Sequence, residues 1–122
     1  MTDDKRQFIR LKTRLMTFYK VLETGKVWRA LTQNIGGGGV CFIAEQLLKP
    51  GEALELEIKL PDRQQPITFS AEVVWSQPVQ GESSTFRMQE AETGVRFVAI
   101  HPKDRALIMQ YAAMNALPPS SS

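Results

Sequence analysis

The amino-acid sequence predicts a mainly β fold: a six-stranded antiparallel β-barrel with one C-terminal α-helix. Three observations predict it. Apolar and polar residues alternate with period two over several stretches, Gly and Pro turns punctuate the chain between them, and apolar residues take helical spacing in one segment only. A chain of 122 residues has room for one hydrophobic core. Closing so small a sheet into a barrel removes its exposed edges.

The elements follow in chain order. Thr17–Leu22 and Val27–Gln33 are rich in β-branched and aromatic residues, and Glu23-Thr24-Gly25-Lys26 between them reads as a hairpin loop. Val40–Ala44 is a short apolar strand. Ala53–Leu60 alternates cleanly: Leu54, Leu56, Ile58 and Leu60 share one face, Glu55, Glu57 and Lys59 the other. Pro50-Gly51 before it and Pro61-Asp62 after it are turn chemistry. Ile67–Gln77 repeats the pattern, with Ile67, Phe69, Ala71, Val73 and Trp75 on the apolar face and Thr68, Ser70, Glu72 and Ser76 on the polar one. Thr93–Ile100 is the sixth strand, with Val95, Phe97 and Ala99 on one side. Pro102 opens a helix, where its missing N–H costs nothing. Leu107, Tyr111 and Met114 form the helix's apolar stripe, which is expected to close one end of the barrel, and Leu117-Pro118-Pro119 ends it. Trp28 and Trp75 are assigned to the core. Met1–Lys12 and Gln77–Glu92 fit neither strand nor helix, and the second reads as a long hairpin loop.

These boundaries divide the chain into a flexible basic arm (residues 1–12), the barrel with its helix (13–117) and a disordered tail (118–122). Hydrophobic residues are 43% and charged residues 23%, ordinary for a soluble globular protein. No apolar run reaches the length of a membrane span, and the acidic opening Met1-Thr2-Asp3-Asp4 leads into no signal-like core. With Cys41 the only cysteine, no internal disulfide forms, so the expected setting is the cytoplasm. Charge is uneven. Residues 1–40 hold eight Lys or Arg against three acids, a net +5 that leaves −3 for the rest of a chain whose overall charge is +2. A basic front end suits a compact anionic ligand; duplex nucleic acid would want a basic stripe over a whole face.

Two features carry chemistry. Arg6 and Arg10 lie four apart on the arm, with Lys5 just before them. A guanidinium is a rigid fork of donors that pairs with phosphate oxygens or with the O6/N7 edge of guanine. The second feature is Gln33-Asn34-Ile35-Gly36-Gly37-Gly38-Gly39-Val40, an amide followed by four glycines between two strands. A turn with left-handed positions needs one or two glycines; four favour a close approach to the backbone, by a ligand on this reading. No Lys-Ser/Thr follows and the next element is a strand, so this is not a Walker phosphate loop. His101 has no second His or Cys partner in sequence for a zinc site and belongs at the strand-to-helix corner. Cys41 reads as a small buried apolar residue. No nucleophile–base–acid set stands out, and the chain is expected not to be an enzyme and to use no cofactor.

Taken together, Arg-x-x-x-Arg before the first strand and Asn-x-x-x-x-Gly between the second and third resemble the PilZ domain family, which carries an R-x-x-x-R arm and a [D/N]-x-S-x-x-G turn on a six-stranded barrel with a C-terminal helix. The first motif maps onto Arg6 and Arg10, the second onto Asn34, Gly36 and Gly39, with Gly36 where the family has serine. Val73-Val74-Trp75, Gly94-Val95-Arg96-Phe97 and Pro50-Gly51 extend the resemblance over nearly the whole chain. The resemblance implies a bacterial receptor for the second messenger cyclic di-GMP. Arg6 and Arg10 would clasp guanine and phosphate, Asn34 would meet a base edge, Gly39 would give the backbone room and Lys5 would add a phosphate contact. It also implies that the arm folds over the ligand and that the protein then acts on an effector protein. One hydroxyl lost at Gly36 would weaken binding up to roughly tenfold. Two other readings compete: a ligand-independent PilZ-like adaptor, which the Arg6/Arg10 pair argues against, and a barrel for single-stranded nucleic acid, which would need aromatics on a polar strand face.

Overall fold

The computed structural model describes residues 10–61, 63–79 and 90–116. Its elements are β1 (Arg10–Lys12), β2 (Met16–Val21), β3 (Val27–Gly36), β4 (Gly39–Ala44), β5 (Ala53–Ile58), β6 (Ile67–Pro78), β7 (Ala91–Ala99) and α1 (Pro102–Ala116). Each of the six strands expected from the sequence is present. The sheet order is β1-β3-β2-β5-β6-β7-β4, and β4 also pairs with β3. Six antiparallel strands, β2 to β7, therefore close into a barrel, and β1 is an extra strand outside the ring. The arm expectation changes here: Arg10–Lys12, read as irregular, pair with Asn34–Gly36, while Lys5, Arg6 and the tail at 118–122 lie outside the described residues.

Alternation places the core as the sequence implies. Leu54, Leu56, Ile58 and Leu60 are buried, as are Ile67, Phe69, Ala71 and Val73 from the next strand. Tyr19 and Phe42 meet across the interior with ring centroids 5.0 Å apart, and Phe69 and Phe97 stack edge to face at 4.8 Å. Burial pushes the Tyr19 hydroxyl pKa up to about 12, while its oxygen accepts the Glu45 N–H at 3.4 Å. The turns use the expected residues: Gly25 and Gly51 adopt φ of 78° and 91°, the conformation that glycine takes without steric cost.

β1 and β2 run along the same edge of β3, one beyond the other, and the chain breaks between them at Thr13–Leu15. Thr32 mends the break. Its hydroxyl accepts the Leu15 N–H at 2.8 Å and donates to the Thr13 carbonyl at 2.6 Å, in a site where Thr32 is buried. β1 is thus fixed to the barrel by a polar side chain where the ladder is interrupted.

Bulges in three strands break the period-two reading. On β7, Ala71 pairs with Phe97 but Ser70 with Ala99, so Val98 is extra and Ala99, expected on the same side as Phe97, is exposed. On β3, Thr32 pairs with Phe42 but Asn34 with Cys41, so Gln33 is an extra residue. On β6, Val73 pairs with Val95 but Trp75 with Gly94, so Val74 is extra. Each insertion flips the residues beyond it to the other face. Trp75, expected in the core, is turned outward and is 39% exposed, whereas Ser76, expected outside, turns inward and bonds Thr93 at 2.9 Å. Trp28 is the tryptophan that packs on the core.

α1 packs against β1 and β3. Its buried stripe centres on Ile108 and Ala112, with Leu107 and Tyr111 flanking. Met114, expected in the stripe, is 66% exposed, because the helical face is rotated by one residue from the one read off the sequence. His101 does sit at the corner: its Nδ1 accepts the Lys103 N–H at 3.1 Å, and so caps the helix.

The Thr32 hydroxyl gives a direct test of how β1 is held. Thr32→Val keeps the shape but strands two backbone groups, so urea denaturation should show a loss of about 1–3 kcal/mol. Thr24→Val, in the exposed hairpin, should change stability by less than about 0.5 kcal/mol.

Candidate functional site

A trough of about 610 Å³ lies on the outside of the barrel, between Arg10 and Asn34 on one flank and Trp75 and Arg96 on the other. The sheet register explains why it is there. In one outward row, Lys12 faces Asn34, Asn34 faces Cys41, Cys41 faces Gly94 and Gly94 faces Trp75. In the next, Arg10 faces Gly36 and Gly39 faces Arg96, which faces Glu72. The central positions are glycine or cysteine. A hollow remains where larger side chains would fill the surface, and the long polar and aromatic side chains stand at its edges.

Two of the glycines are required by close packing. A Cβ on Gly39 would lie 2.1 Å from the Val95 carbonyl oxygen, so β4 can pair with β7 only because that atom is absent. A Cβ on Gly94 would lie 2.4 Å from Trp75 Nε1, which means that the indole lies over Gly94. The four-glycine run therefore differs from both sequence expectations. Gly37 and Gly38 make the bend between β3 and β4, yet among the described residues the only positive-φ glycines are Gly25 and Gly51. The close approach at Gly39 comes from the chain's own strand β7. The bend is held from outside: Arg105 on α1 donates its Nε–H to the Gly37 carbonyl at 2.8 Å, and the Phe97 N–H donates to the Gly38 carbonyl at 3.2 Å.

Hydrogen bonds join the polar groups on the Arg10 flank of the trough. Arg10 Nε–H donates to Asn34 Oδ1 at 3.0 Å, and its Nη2 donates to the same oxygen. The pair is diagonal across the β1–β3 ladder, within reach for a long side chain. Lys12, directly opposite Asn34, adds a second cation on that face. Among the described residues no carboxylate pairs with Arg10, whereas Arg96 forms an ion pair with Glu72 through Nη2. Cys41 lies in the floor with its thiol pKa pushed up to about 11, by burial first and then by the Glu92 carboxylate, with Arg10 acting in the opposite sense. Its Sγ–H is 3.5 Å from Gln33 Oε1. A thiol so protonated at neutral pH is packing, not a nucleophile. Among the described residues no group of three or more His, Cys, Asp and Glu could hold a metal ion, and no helix is long and apolar enough to cross a membrane.

Of the expected site residues, the structure brings together Arg10, Asn34, Gly36 and Gly39. Arg6 and Lys5 lie outside the described residues. Sequence reasoning missed Trp75, Arg96 and Glu92 as members of the site. Trp75 and Arg96 enter the sequence reading as parts of strands and of the family resemblance, with Trp75 assigned to the core, and the signal that could have found Trp75 is the Val73-Val74 doublet, one apolar residue too many for strict alternation.

A small closed barrel with glycine-floored, guanidinium-edged walls is the frame of a binding module. The chain belongs to the PilZ domain family, whose family model matches residues 4–113. Among curated proteins none matches it. Solved structures share the fold. The Bacillus subtilis inhibitor of motility, MotI/DgrA, superposes with a TM-score of 0.73 at 23% identity, covering 93% of this chain and 52% of its own. The PilZ domain of YcgR from Escherichia coli, solved with c-di-GMP, gives 0.70 at 13% identity, covering 93% and 95%. The K. pneumonia MrkH–c-di-GMP complex gives 0.67 at 13% identity, covering 93% and 52%. The chain thus spans about half the length of the first and third of these proteins.

The two glycines give opposite expectations for substitution. Gly39→Ala drives a methyl into backbone, so it should cost more than about 2 kcal/mol in denaturant unfolding. Gly94→Ala meets a side chain that can swing away, so it should cost less than Gly39→Ala and instead red-shift the Trp75 fluorescence as the indole leaves its seat.

Proposed function

We propose that this chain is a receptor module for cyclic di-GMP, bound in the trough between Arg10 and Trp75, and that it acts by binding rather than by catalysis. The observation that carries the proposal is the Arg10–Asn34 pair standing beside an indole above a glycine floor, in a chain of the PilZ domain family. Structures of the same fold that hold c-di-GMP support it.

The chemistry fits a cyclic guanine dinucleotide. Arg10 offers a planar fork already aimed across the ladder by Asn34, so little side-chain freedom is lost when it meets a phosphate or a guanine edge. Asn34 has an amide that can both donate and accept at a base edge. The exposed indole of Trp75 is a stacking surface, and its neighbour Arg96 adds positive charge for a dianion. Gly36 leaves no hydroxyl opposite Arg10, so the module binds more weakly than one with serine there. Arg6 and Lys5 supply the further cations of the arm in this reading.

In the proposed cycle the arm residues close over the ligand, and their ordering presents a new surface to an effector protein in the cytoplasm. β1 is the fixed base of that movement, since Leu11 packs on the core and Thr32 holds the chain behind it. Cytosolic placement, the effector and the conformational signal are parts of the proposal.

Calorimetric titration with cyclic di-GMP tests the receptor reading. The wild type should bind, and Arg10→Ala should lose at least roughly 100-fold in affinity, as expected for two charge-assisted hydrogen bonds. Binding that is absent in the wild type, or unaffected by Arg10→Ala, refutes it and favours the ligand-independent adaptor. Hydrogen exchange tests the arm: amides of Arg6–Ile9 should gain protection on saturation, and unchanged protection removes arm ordering from the mechanism.

A further inference from the structure

We infer that Glu92 is a specificity-determining residue, a carboxylate that selects guanine by accepting hydrogen bonds from its N1–H and N2 amino group. The inference rests on the trough being the cyclic di-GMP site. It concerns which base is admitted rather than whether a dinucleotide binds.

Strand β7 points three consecutive alternate residues outward into the trough: Glu92, Gly94 and Arg96. Side chains two apart on a strand lie on the same face about 6.7 Å apart. Glu92 and Arg96 are therefore separated by roughly 13 Å, with the Trp75 indole lying over Gly94 between them. The order along the strand is acceptor, stacking plane, guanidinium. A nucleotide laid along it would put a base edge at Glu92, the base against the indole and a phosphate toward Arg96.

The state of Glu92 needs a purpose. Among the described residues its carboxylate has neither an ion-pair nor a hydrogen-bond partner, although it lines the trough and is half-buried. Its charge is felt at Cys41 in the floor, with Arg10 acting from the opposite side. Such an acid beside a dianion is unfavourable unless it meets donors. The Arg96 end draws the phosphate away by more than a Debye length at physiological salt, about 8 Å, which blunts the repulsion.

Guanine supplies the donors. Its Watson–Crick edge presents N1–H and an N2 amino group side by side, and a carboxylate accepts at both oxygens. Adenine presents an unprotonated N1 in the same place, so two acceptors would face each other and one buried bond would be lost. A site built around such a bond rejects the analogue lacking it. The neutral Asn34 amide has a single acceptor oxygen, so it cannot accept from both guanine donors as a carboxylate does.

Titration of the wild type and of Glu92→Gln with cyclic di-GMP and with cyclic di-AMP tests the inference. Glutamine is close to isosteric, and its amide matches the N1 acceptor and N6 donor of adenine. Affinity for cyclic di-GMP should fall roughly 10- to 100-fold, and the preference over cyclic di-AMP should fall by more than that. Glu92→Ala should lose the same preference without gaining cyclic di-AMP. If Glu92→Gln tightens both ligands by one common factor, the residue is only a repulsive neighbour and the inference is overturned. Unchanged discrimination in both variants overturns it as well and leaves the receptor reading standing. A wild type that binds neither ligand overturns the receptor reading itself.

Discussion

The side-chain period of a β-strand is two, so a single inserted residue reverses the face of everything beyond it. This protein places one such insertion in β3 and one in β6, the strands that present Asn34 and Trp75 to the trough. Without Gln33 as an extra residue on β3, Asn34 would point into the barrel and Ile35 into solvent. Without Val74 on β6, Trp75 would point inward and Ser76 outward. Both slips occur partway along strands whose first halves obey the pattern, so the same strand builds core with one half and site with the other. The site depends on this more than on any one contact, because it decides which side chains reach the surface.

Between the two bulges the sheet is nearly bare. Gly39 and Gly94 occupy outward positions where the cross-strand neighbour or the indole leaves no room for a methyl group. Glycine in a strand costs backbone entropy and gives up packing. That cost is tolerated here because the strands are locked on both edges: β4 pairs with β3 and β7, and the bend beside Gly39 is held by Arg105 from the helix. The helix therefore supports the bend beside the site's floor through Arg105.

Much of this was legible in the sequence, and the failures share one cause. The six barrel strands, the Gly25 and Gly51 turns, the single helix and the His101 corner follow from local pattern: alternation, turn residues and a proline start. Arg10, Asn34 and Gly39 were found by motif. Trp75 was misplaced because alternation assumes an unbroken ladder, and a bulge is specified by pairing with another strand, which no local window contains. Met114 was misplaced for a related reason: Leu107 and Tyr111 are compatible with two helix rotations, and only the packing of Ile108 and Ala112 on β1 and β3 selects one. β1 was missed because three residues carry too little pattern, and its pairing is secured by a hydroxyl on a distant strand, Thr32. The glycine run was read as a place where a ligand approaches, while the approach that forbids a Cβ at Gly39 is that of Val95.

The two guanidinium groups at the trough differ in a way that bears on how the proposed ligand would be captured. Arg96 is held by a carboxylate, Glu72. Moving it onto a phosphate exchanges one anionic acceptor for another, so the gain is small and the ion pair competes with the ligand. Arg10 is held by a neutral amide oxygen. Moving it onto a phosphate replaces a neutral acceptor with a charged one, and charge-assisted hydrogen bonds are roughly twice as strong as neutral ones. Asn34 then loses its partner and is free to meet a base edge, so one exchange arms both residues. On the proposed reading the amide would do two things: keep Arg10 extended across the ladder, as it does here, and yield when an anion arrives. A carboxylate at position 34 would do the first better and the second worse.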